Sequence, residues 1–270
     1  MAAPASSSNP AFSRNPVFNG KAVAVQTPSA EGLQDMYDRP AATPSQTDRM
    51  SYDDVLIKTA GMFVVLLATA AVAFLAMYPV PTVLGLGLAV VGVIGGLVLG
   101  LVNAFKREPS VPLILAYAAF EGLAVGAISG IFEARWSGIV LQAVLATFAV
   151  FGTTLALFAS GKIRASKRAT KIFLIALIGY GVFSLLNMVL MFTGVVTDPF
   201  GLRSGWIGIA IGLIAVLLAA YSLVLDFDSI KRGVQAGAPR KYGWSAAFGL
   251  VLTLVWLYLE LLRIIAIFRN

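Results

Sequence analysis

Seven apolar runs, each long enough to cross the ~30 Å hydrocarbon core of a bilayer as a helix, constrain what this chain can fold into. They cover Ala60–Tyr78, Val83–Phe105, Val111–Phe132, Gly138–Ala159, Ile172–Thr193, Trp206–Leu225 and Trp244–Phe268. Inside hydrocarbon every backbone N–H and C=O must find a partner within the protein, and runs of this length do so as helices. The expected fold is an all-α integral membrane protein, a bundle of seven transmembrane helices. Short connections join the runs, so 51–270 reads as one membrane domain with no room for a separate soluble module.

The positive charges support the count. If the spans alternate, sixteen of the twenty Lys and Arg residues fall on one side: Arg14, Lys21, Arg39, Arg49, Lys58, Lys106, Arg107, Lys162, Arg164, Lys167, Arg168, Lys171, Lys231, Arg232, Arg240 and Lys241. Only Arg135, Arg203, Arg263 and Arg269 fall on the other. Cationic connections stay in the cytoplasm, which predicts a cytoplasmic N-terminus and an outside C-terminus. The net charge of +7 then reflects topology and attraction to an anionic inner leaflet. No basic stripe with interleaved aromatics points to nucleic acid.

Two absences narrow the chemistry. The chain has no Cys and no His. Disulfides, thiol catalysis, the usual zinc ligands, His-ligated haem and the Ser–His dyad are therefore excluded. A response to pH near neutrality would have to come from carboxylates.

Residues 1–50, rich in Ala, Pro, Ser and Asn, read as a disordered cytoplasmic tail without the apolar core of a signal peptide. The tail repeats Asn9-Pro10-Ala11-Phe12 as Asn15-Pro16-Val17-Phe18, two turn signals each followed by an aromatic residue. The island Gly32–Tyr37 reads as a helical turn that caps the cytoplasmic face. Ser51, with Asp54 three residues on, resembles a capping signal for the lead-in to the first span.

Within the spans, small residues recur at every fourth position: Gly92, Gly96 and Gly100 in the second, Gly122, Gly126 and Gly130 in the third. Such stripes let helix backbones approach closely where lipid supplies no hydrophobic drive. In the fifth span Tyr180, Ser184 and Asn187 share one face, a polar stripe expected to point into the bundle as interhelical glue.

Three acids stand out because they lie in or at the edge of the apolar runs: Glu121, Asp226 and Glu260. A charged side chain at mid-bilayer costs at least about 2.5–3.5 kcal/mol, so each needs a partner, water or a proton. Glu121 sits well inside the third span with no basic residue within one turn, and a neutral acid is the cheapest state there. Glu260 shares a face with Thr253, Trp256 and Arg263, and Arg263 at i+3 is its local ion-pair candidate. Asp226 closes the sixth run. Asp228 points about 200° away from it, toward a solvated interface where Lys231 or Arg232 can partner it. Two carboxylates brought together in low dielectric share a proton, and once ionised they offer hard oxygens that suit Ca²⁺.

The order of these pieces resembles the transmembrane Bax-inhibitor-motif family, in its bacterial YccA-related form. The matching residues are Leu223-x-Leu225-Asp226-x-Asp228-x-Ile230 at the end of the sixth span, Leu257-Tyr258-Leu259-Glu260 in the seventh, and Phe120, Gly126 and Ser129 in the third. The long tail looks like an actinobacterial branch. The resemblance implies a pH-sensitive Ca²⁺ leak channel in the plasma membrane, with a carboxylate pair, Asp226 and Glu260, as latch, sensor and cation site. It implies no cofactor, Ca²⁺ being the permeant ion. It also implies a second role, since some bacterial members bind and modulate a membrane protease. A straight last helix places Glu260 about 24 Å from Trp244. The pair therefore meets only if the sixth helix runs well past Asp228 or 244–250 lies partly outside the hydrocarbon. Glu121 is the next acid expected on the cation pathway.

Three readings follow, none of them an enzyme: the pH-gated cation leak, a non-transporting membrane protein that docks a protease or another complex, and a proton-coupled solute carrier. The carrier would show an internal repeat with paired broken helices, which the chain lacks. No Lys in the seventh span offers a retinal linkage, and the Gly-rich signature of aspartyl intramembrane proteases is absent.

Overall fold

The computed structural model describes residues 48–198 and 200–269, with Ser29 and Gln34 as isolated positions. The chain divides into two units, Met1–Thr43 and Pro44–Asn270. The Asn-Pro repeats lie outside the described residues, as does the 32–37 island apart from Gln34, which is helical.

The second unit is all-helical among its described residues. Its seven long helices are α1 (Tyr52–Met77), α2 (Val83–Phe105), α3 (Val111–Arg135), α4 (Ile139–Ala159), α5 (Lys167–Phe192), α6 (Gly205–Gln235) and α7 (Gly243–Arg269). Each is long and apolar enough to cross a membrane, so the chain is a multi-pass membrane protein. Single 3₁₀ turns, Gly201–Arg203 and Arg240–Tyr242, precede α6 and α7.

Three helices run well beyond their apolar runs. α1 begins eight residues early, where the Ser51 hydroxyl accepts from the Asp54 backbone N–H at 3.1 Å and so caps its first turn. α5 starts at Lys167 behind Ser166, whose hydroxyl accepts from Ala169 N–H. α6 continues ten residues past Leu225, because nothing interrupts its hydrogen-bond ladder before Gly237, which takes the left-handed conformation (φ +63°) that ends it. All three extensions lie at one end of the bundle, here called the basic end.

α7 occupies the middle, packed against α1, α3, α4 and α6. The two glycine stripes form successive seams. Gly92 and Gly96 of α2 face α3, where a methyl on Gly92 would lie 2.5 Å from the Ala124 nitrogen, and Gly100 faces the Tyr117 ring. Gly122, Gly126 and Gly130 of α3 face α1 instead: Gly122 against Leu66 and Thr69, Gly126 against the backbone of Ala70, Gly130 against Met77. α4 and α5 are the least enclosed. Leu141, Leu145 and Phe148 on one, and Ile175, Ile178 and Val182 on the other, are exposed, as suits side chains facing acyl tails.

A polar tie closes the basic end. Met50 N–H donates to Ala238 O at 2.8 Å, Arg240 N–H donates to Asp48 O at 2.9 Å, and Arg49 bridges Pro239. Asp54, buried just above, accepts from Lys58 Nζ at 2.6 Å and Arg240 Nε at 2.8 Å. Lys58 Nζ also reaches Arg240 O at 2.7 Å. Residues 48–50, the continuous described stretch of the tail, thus belong structurally to the membrane unit.

Candidate functional site

α6 and α7 hold Asp226. Its carboxylate projects between the two helices, and Thr253 Oγ1 of α7 donates to its Oδ2 at 2.7 Å. The Ser222 hydroxyl stands 3.4 Å from the same Thr253 oxygen. Asp226 lines a cavity of about 390 Å³ together with Ser229, Ile230 and Gly233 of α6, Ser245 and Gly249 of α7, Met50, and Ala238 and Tyr242 of the connection. Ser229 and Ser245 are exposed, so the mouth lies at the basic end. Asp228 turns away as its spacing predicts and pairs with Arg232 at 2.9 Å.

Glu260 has a different environment. It is 2% exposed, and its Oε1 accepts from the Tyr180 hydroxyl, from Arg263 Nη2 at 3.0 Å and from Trp256 Nε1 at 3.2 Å. Arg203, in the 3₁₀ turn before α6, approaches that oxygen at 3.9 Å. The Arg203 guanidinium also donates to the Ser184 hydroxyl and lies over the Tyr180 ring, 4.7 Å from its centroid. Asn187 Oδ1 accepts from Leu202 N–H at 2.6 Å, pinning the same turn. The Tyr180, Ser184 and Asn187 stripe therefore faces this cluster and ties α5 and the α5–α6 connection to α7. Two guanidiniums share one carboxylate, and the cluster carries a net charge of +1. Arg203 Nε and Arg263 Nη1 are both buried and receive no acceptor from the described residues.

The expected carboxylate pair is not formed. Asp226 is level with Gly249 and Thr253, and Glu260 lies seven residues beyond Thr253, about 10 Å along α7. The extension of α6 to Gln235 narrows the offset without closing it. The residue opposite Asp226 is Thr253, a neutral hydroxyl with which no proton can be shared in the manner of two acids. The same separation leaves Asp226 and Glu260 on no shared Ca²⁺ site in this structure. Ca²⁺ takes six to eight oxygens, and no group of three acidic residues converges among the described residues. Glu121 stands apart from both. Its Oε2 rests in the α2–α3 seam, 2.7 Å from where a methyl on Gly96 would sit, and not in the Asp226 cavity.

Sequence reasoning placed Arg263 beside Glu260 and missed Arg203, Met50 and the Asp226–Thr253 bond. The signal for Arg203 was weak: a cation just before an apolar run, near a span with a polar stripe. Nothing local named its partner.

A seven-helix membrane bundle with an acid-lined cavity at one end and a guanidinium–carboxylate cluster toward the other defines the class. Residues 9–270 match the family model described as Bax inhibitor 1 like, and the chain belongs to that family. No curated protein matches it.

Proposed function

We propose that this protein is a pH-sensitive cation leak of the plasma membrane, with Ca²⁺ as a permeant ion, with its basic end in the cytoplasm, and without enzymatic activity or cofactor. The observation that carries the reading is Asp226, a lone carboxylate lining a cavity that opens at the basic end. A charged oxygen at the inner wall of a low-dielectric cleft concentrates cations, and protonation removes that attraction. Beyond it, Thr253, Trp256 and Glu260 follow one another along one face of α7, a polar line toward the opposite end. The sensor is a single acid tuned by a hydroxyl rather than a proton-sharing pair.

The test is Ca²⁺ flux in proteoliposomes from pH 5 to 8, wild type beside Asp226→Asn. Since only the ionised carboxylate attracts cations, wild-type flux is expected to rise with pH, and the substitution to leave a low flux that no longer follows pH. A wild type silent at every pH would end the leak reading. It would leave the family's other role, docking of a membrane protease or another complex, as the one to pursue, with the chain as bait.

A further inference from the structure

We propose that Arg203 is the charge gate of the leak, the side chain that slows divalent cations at the end opposite the Asp226 cavity; this rests on the cation-leak reading above. The polar line that starts at Asp226 and Thr253 runs along α7 to Trp256 and Glu260 and ends against Arg203. A cation following that line meets two guanidiniums and one carboxylate. Glu260 is engaged by Tyr180, Trp256 and Arg263 through Oε1, its Oε2 meets no donor among the described residues, and Arg203 stands 3.9 Å from Oε1 without a close ion pair, so one carboxylate faces two cations.

Of the two arginines, Arg203 is the less tightly paired with Glu260. Arg263 rises from the regular helix α7, six residues before its end, and contacts Glu260 at 3.0 Å, whereas Arg203 comes from a three-residue turn and stands at 3.9 Å. It is 7% exposed, so its charge acts through protein rather than water and is poorly screened. The remaining holds on it are the Ser184 hydroxyl and the faces of Tyr180 and Phe183, all on α5, one of the two least enclosed helices.

Coulomb repulsion from a fixed charge scales with the charge of the passing ion, so the factor by which Arg203 slows Ca²⁺ is the square of the factor for Na⁺. This scaling separates a charge gate from a merely structural role. Arg203→Gln is expected to raise Ca²⁺ flux about tenfold and Na⁺ flux about threefold, so that the Ca²⁺/Na⁺ ratio rises. Arg203→Lys keeps the charge and is expected to keep the wild-type ratio.

The absence of Cys from the chain supplies a second measurement on one folded protein. In Arg203→Cys, a trimethylammonium-bearing methanethiosulfonate forms a mixed disulfide with the thiolate and releases methanesulfinate, which restores a positive charge at the position. That reagent is expected to return Ca²⁺ flux toward the wild-type level, while the uncharged methyl reagent does not. Equal increases in both ions, or equal effects of the two reagents, would mean that Arg203 only fastens α5 and would overturn the gate. An unchanged ratio beside a pH-dependent wild-type leak would overturn the gate and leave the leak standing. Silence of wild type and all variants would remove both.

Discussion

Glu260→Leu is expected to cost roughly 3–5 kcal/mol of stability, the range found when one partner of a buried ion pair is removed. The charge is only part of the loss. At 2% exposure Glu260 supplies the one oxygen on which the Tyr180 hydroxyl, Trp256 Nε1 and Arg263 converge, with Arg203 close by. Leucine fills much of the volume and satisfies none of them, leaving the buried Arg203 and the half-buried Arg263 with no counter-charge. For a chain of this size the melting midpoint in detergent should fall by about ten degrees. Because the arginines and the acid act as a unit, the double variant Glu260→Leu with Arg203→Met should be less damaged than the sum of its parts. A Glu260→Leu protein that melts like wild type would show that the cluster does not hold α5 and α7 together.

Gly126→Val is expected to be at least as damaging, for a steric reason. The added atoms meet not a flexible side-chain end but the Cα, carbonyl carbon and oxygen of Ala70 on the neighbouring helix. Backbone cannot rotate out of the way, so α1 would have to shift off α3 along the closest seam in the bundle. Overpacking costs typically about 1–3 kcal/mol where neighbours can adjust, and more is expected here. Gly152 and Gly179 provide the contrast, since a methyl group at either meets nothing within 4 Å. Alanine at those positions should be neutral or stabilising by up to about 1 kcal/mol through helix propensity. Detergent melting curves of the three variants side by side check the assignment, and a Gly126→Val protein no worse than Gly152→Ala would refute it.

The seven helices were legible because hydrocarbon imposes a length and a composition that any window of sequence reveals. Their ends at the basic face were less legible for a physical reason. Hydropathy marks where lipid stops, whereas a helix stops where its hydrogen-bond ladder is broken, and for α6 that point is Gly237 rather than Leu225. The glycine stripes were readable as contact surfaces, but their partners were not: one spacing serves α2 against α3 and α3 against α1. The site divides in the same way. Arg263, one turn from Glu260, is a local relation. Tyr180 and Arg203 reach Glu260 from 80 and 57 positions away, and no local periodicity encodes such meetings. The expectation that Asp226 would find a second carboxylate failed because only the relative height of α6 and α7 decides which side chain stands opposite, and that residue is Thr253.

The tie between Asp48–Met50 and Ala238–Arg240 also bears on how the protein is made. One of its two segments precedes the first span and the other precedes the last, so the first of these residues to leave the ribosome waits for the last connection before it can pair. Six spans must be threaded into the bilayer before the Met50 side chain can enter the wall of the Asp226 cavity. A chain that stops before the α6–α7 connection would therefore carry Met50 without its partner Ala238.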